Sequence, residues 1–142
     1  MNQLDPNFDW VTARANCNPS AVFEELRAQA KADVARRNGL RDGKELNFNI
    51  EFNFESSASA FKISRIGMQE MREYVVFSKT GDGITASYKT EMARPPLPAT
   101  LTLSNRGECK LYLDGEEYYF WQFRKRALEP VLFSTAMVVG EP

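Results

Sequence analysis

The residues with the strongest chemical character in this 142-residue chain lie in one run, Tyr118-Tyr119-Phe120-Trp121-Gln122-Phe123-Arg124-Lys125-Arg126. Large rings followed by three cations join flat apolar surface to charge, the chemistry of stacking and of protein interfaces. Read at strand spacing, Tyr119, Trp121 and Phe123 share one face, and Tyr118 and Phe120 take the other. A strand with rings on both faces needs two covers. One face is therefore expected to be a binding surface, with Tyr119, Trp121 and Phe123 as anchors and Arg124 and Arg126 on its rim. Rings beside cations also suit a nucleic acid, but Glu116 and Glu117 precede them. The whole chain, moreover, sets 18 Lys+Arg against 19 Asp+Glu, a net charge of −1 that draws in no polyanion.

Catalysis lacks its usual groups. With no His there is no Ser-His-Asp or Cys-His set and no imidazole base, and two Cys cannot alone build a Cys₄ metal site. Glu51, Glu55, Glu108, Glu116 and Glu117 all fall near strands, but nothing in their spacing says which of them meet. Asn47, Asn49, Glu51, Asn53 and Glu55 form a polar row whose members stand about 6.6 Å apart, too far for three in succession to converge on one ion. Gly81-Asp82-Gly83 reads as a hairpin turn, lacking the Lys-Ser/Thr of a phosphate loop. Arg94-Pro95-Pro96-Leu97-Pro98 reads as a surface connection. The sequence thus assigns no catalytic residue, metal or cofactor, and the balance is against an enzyme.

The elements that must position these residues follow from periodicity. Asn18 as N-cap and Pro19 at the first helical position open a helix over about 19–38, with Phe23, Leu26, Ala30 and Val34 on one stripe. Arg36 and Arg37 suit its C-terminal dipole, and Asn38-Gly39-Leu40 reads as its C-cap. Asp9 is a candidate cap for a short preceding helix. Leu46, Phe48, Ile50, Phe52 and Phe54 alternate with polar residues, a strand with one face buried. Further strands are expected over 60–66, 74–79, 84–89, 100–103, 110–113 and 116–123, and Asp114-Gly115 is a strong hairpin signal. Pro130 is placed to open a short C-terminal helix.

Loops this short cannot carry parallel crossovers. The chain is therefore expected to be one α+β domain over 1–142, an N-terminal helix on one face of a six- to seven-stranded antiparallel meander, with a short C-terminal helix. No run approaches 18 apolar residues, and the N-terminal residues lack the features of a secretion signal, so a cytoplasmic protein with reduced cysteines is expected. The function expected is a non-catalytic binding or assembly module using the aromatic last strand, its partner a protein and most simply a second copy of the chain. The alternative is a small apolar ligand held in the concavity between sheet and helix.

Overall fold

A computed structural model describes residues 6–40, 51–66 and 72–133. Two helices, α1 (Trp10–Asn16) and α2 (Pro19–Leu40), precede seven strands: β1 (Glu51–Ser56), β2 (Ala60–Ile66), β3 (Arg72–Thr80), β4 (Gly83–Lys89), β5 (Leu97–Leu103), β6 (Cys109–Leu113) and β7 (Glu116–Tyr118). Helix α3 (Phe120–Leu132) follows. The strands form one antiparallel sheet in sequence order, the meander that short loops require. The expected positions 46–50 of the first strand lie outside the described residues.

The helix starts follow from their caps. Asp9 accepts from the Thr12 N–H at 3.0 Å, and Asn18 accepts from the Ala21 N–H at 2.9 Å. Phe23, Leu26, Ala30 and Val34 are all buried, as their spacing predicts. They meet the face of the sheet that carries Phe52, Phe61, Ile63, Val75, Phe77 and Ile84. Phe61 and Phe77 stack across β2 and β3 with centroids 4.7 Å apart. Phe23 of α2 joins them at 5.2 Å, and Phe123 of α3 meets Phe77 edge-on at 6.1 Å. These four rings, none more than 1% exposed, occupy the space between helices and sheet where the small-ligand alternative placed its concavity. The opposite face carries Asn53, Lys62, Tyr74, Ser87, Thr100 and Tyr112, polar residues suited to water.

Both hairpin turns form as expected. Asp114 and Gly115 take φ of 56° and 79°, the paired left-handed conformations of a two-residue turn. At Gly83 the neighbouring strand comes so close that a Cβ would lie 1.9 Å from the Ala99 carbonyl oxygen.

Five expectations are corrected. The run 116–123 is not one long strand: β7 ends at Tyr118, and α3 begins at Phe120. Helical spacing wins because Phe123, Ala127, Leu128, Val131 and Leu132 make a continuous buried stripe, which strand spacing would split. Pro130 accordingly lies inside α3 and does not open it. Asn38 continues α2 and does not cap it. Pro98, expected in a surface connection, is a strand residue opposite Thr85. Its missing N–H is tolerated because β6 pairs only from Thr100 onward, leaving Pro98 with one neighbouring strand.

The fifth correction concerns the cysteines. Cys17 and Cys109 are joined in a disulfide with Cα atoms 5.4 Å apart, closing 92 residues and tying the α1–α2 junction to β6. Cys17 is 1% exposed. Nothing in the spacing of two distant cysteines reveals that the fold brings them together.

Candidate functional site

The five residues expected to form one surface lie in three environments. Phe123 points into the core and is fully buried. Arg124 is a bridge between helices and not a rim cation: its Nε donates to Asp33 Oδ2 at 2.7 Å, and its Nη1 to Gln29 Oε1 at 2.8 Å. Both corrections follow from the helix, which turns Tyr119, Trp121 and Phe123 onto different sides where a strand would align them. Tyr119 precedes the first turn of α3, where its N–H is accepted by Gln122 Oε1 at 2.8 Å. Its ring covers the Lys110 ammonium, 3.9 Å from the centroid.

Trp121 stands apart. It is 56% exposed on the outer side of α3, and it separates two open grooves. The larger, about 740 Å³, runs beside Tyr118, Gln122 and Arg126 toward Arg94. The smaller, about 360 Å³, lies between the C-terminal half of α2 and α3, with Leu40, Leu128, Leu132 and Phe133 as apolar lining. Leu40 and Phe133 are themselves exposed. Lys125 and Glu129 line both grooves, and they pair with each other at 3.1 Å. Arg126 remains on the rim as expected, its Nη1 donating to the Tyr118 hydroxyl at 2.6 Å and its Nη2 to Asp114 at 3.3 Å. Its hydrogen bond to Tyr118 raises its pKa.

The carboxylates divide. Glu108 and Glu117 meet at Lys110, at 3.4 and 3.2 Å, and the Tyr112 hydroxyl donates to Glu117 at 2.6 Å. Hydrogen bonds from Tyr112 and Lys110 lower the Glu117 pKa. That is the wrong direction for a general acid, and each carboxylate oxygen of Glu117 already has a donor. Glu51 and Glu55 lie at the far edge of the sheet, on β1. Among the described residues no three metal-binding side chains come together.

Sequence reasoning missed Asp33, Arg36, Leu40, Lys125 and Phe133, which line a groove together with Trp121. The signal that could have found them is the Phe123-Ala127-Leu128-Val131-Leu132 period, which fixes α3 and thereby the outward direction of Trp121 and Lys125. No protein-family model matches the chain, and neither a curated protein nor a solved structure does so.

Proposed function

We propose that this chain is a non-catalytic binding module whose working surface is the outer side of α3, centred on Trp121 and bordered by Arg126. The observation that carries the reading is the exposure of Trp121 at the junction of two grooves. Tryptophan costs more than most residues to leave in water, and it is enriched at the centres of protein interfaces. Tyr119 and Arg126 extend the surface toward β7; Phe123 and Arg124 support it from behind by fixing α3 against the core and against α2. The partner class is protein. The Cys17–Cys109 bond favours an oxidising compartment over the cytoplasm as the place where the module works.

The test uses the dye 8-anilinonaphthalene-1-sulfonate as a probe of accessible apolar surface. Native protein should enhance its fluorescence, and Trp121→Ala should remove most of that enhancement while the melting temperature moves by less than about 4 °C. Phe123→Ala should instead lower stability by about 3–5 kcal/mol. If Trp121→Ala unfolds the chain as Phe123→Ala does, Trp121 is core and the surface is wrong.

A further inference from the structure

We infer that the groove between α2 and α3 receives an acidic, apolar segment of another protein; this rests on the binding-surface reading above and names its partner. The first ground is the charge on the groove's rim. Asp33 is one carboxylate serving two guanidiniums: Arg124 takes Oδ2 at 2.7 Å and Oδ1 at 3.2 Å, while Arg36 reaches Oδ1 at 3.4 Å. The Arg36 side chain is 67% exposed and lines the groove. Lys125 is balanced by Glu129. Leaving aside Arg37, whose guanidinium donates to the Leu132 carbonyl at 2.9 Å, the rim among the described residues still carries more cation than carboxylate, Arg36, Arg124 and Lys125 against Asp33 and Glu129, in a chain whose net charge is −1.

The second ground is the floor. Trp121 and Phe133, both more than half exposed, line the same groove as those cations, with the buried Leu128 beside them. Arg36 and Arg37 near the end of α2 would by themselves be explained by the helix dipole. The dipole does not explain why Arg124, from another helix, competes for the same Asp33, nor why an apolar floor lies open beside them.

The third ground is shape. The groove is open to solvent, and Trp121, Lys125, Glu129 and Phe133, spaced four residues apart, border both it and the larger one. Small ligands are usually buried over most of their surface, which an open trough does not do. A helical segment laid in a groove between helices, with apolar anchors three or four residues apart, fits this form. A second copy of this chain fits less well, because a two-fold contact here would bring two identical cationic rims together.

The experiment uses the full chain with Trp10→Phe, and two labelled peptides of about 14 residues that share one helical leucine pattern. One carries Glu at every polar position and the other Lys. Fluorescence anisotropy should show the Glu peptide binding at least about tenfold more tightly, with the preference shrinking as salt rises. Arg36→Glu should abolish or reverse the preference, and Trp121→Ala should weaken binding of both peptides. Equal binding of the two peptides, an unchanged preference in Arg36→Glu, or no binding of either overturns the acidic partner. Peptide binding that Trp121→Ala leaves untouched overturns the surface reading itself.

Discussion

The side-chain amide of Asn38 on α2 holds both backbone polar groups of Phe52 on β1: its Nδ2 donates to the Phe52 carbonyl at 2.8 Å, and its Oδ1 accepts from the Phe52 N–H at 3.1 Å. β1 is the first strand of the sheet, so these groups face outward, on the side where β1 has no neighbouring strand among the described residues. Exposed edges recruit further strands, and proteins cover or interrupt them. Asn38 does so by standing in for one residue of a partner strand. Arg27 acts one helical stretch earlier, donating to the Ser56 hydroxyl and to the Ser57 carbonyl at 2.6 Å.

Asn38→Ala removes a two-way amide pair and leaves the Phe52 groups to water. Its expected cost is about 1–3 kcal/mol, read as a lower denaturant midpoint with unchanged slope. The variant should also aggregate faster at matched folded fraction. Unchanged stability would show that water replaces the amide without loss.

Tyr88 fastens the other helix. Pro130 has no N–H, so the Arg126 carbonyl four residues earlier lacks its helical donor. The Tyr88 hydroxyl lies 3.5 Å from that oxygen and donates to the adjacent Ala127 carbonyl at 2.7 Å. Burial pushes the Tyr88 pKa up to about 12, so the hydroxyl keeps its proton. Tyr88→Phe should cost about 1–2 kcal/mol, a loss that Pro130→Ala partly restores by returning a backbone donor. A double-mutant cycle with strictly additive changes would break the proposed link between the two residues.

The meander was legible because period-two alternation and turn residues state strand and hairpin locally: Ala60–Ile66 and the Asp114-Gly115 turn needed no tertiary information. The run 118–123 misled because five rings in six residues satisfy strand spacing over that window, while the helical period emerges only when Ala127 to Leu132 are included. Strand spacing therefore turns Phe123 and Arg124 outward, whereas the helix sends Phe123 into the core and Arg124 to Asp33 of α2. The disulfide and the Asn38–Phe52 pair were not legible at all. Both join residues whose proximity is a product of the finished fold.

Reduction of Cys17–Cys109 releases a closure of 92 residues. In the chain-entropy account a loop of that size contributes about 4–5 kcal/mol, and measured cases run from about 2 to 5. Denaturant titration with and without reductant should show a loss in that range. Cys17→Ser with Cys109→Ser should reproduce it in the absence of reductant. A double variant as stable as the oxidised chain would mean that the packing of α1 and β5 already holds the N-terminal helices in place.

Stability should also depend on pH through Glu117, with opposite signs at the two ends of the range. Its carboxylate accepts from Tyr112 and Lys110, which holds its pKa below the ordinary 4.5. A lowered pKa means that the stabilisation is fully present above the unfolded value and is lost as pH falls through the folded one. The same hydrogen bond to Glu117 raises the Tyr112 pKa above 10.0. Desolvation opposes the charge on Lys110, but its bonds to Glu117 and Glu108 outweigh it and raise that pKa above 10.5. Those two contributions are present below the ordinary values and fade as pH rises past them. Glu117→Gln removes the charge on which all three depend. The difference in denaturant midpoint between wild type and Glu117→Gln should therefore be largest near pH 7, decline as pH falls below the ordinary carboxylate range and shrink as pH rises past the ordinary tyrosine and lysine values. A difference that stays constant across this range would show that Glu117 acts by packing or neutral hydrogen bonding, and not as an ionised acceptor.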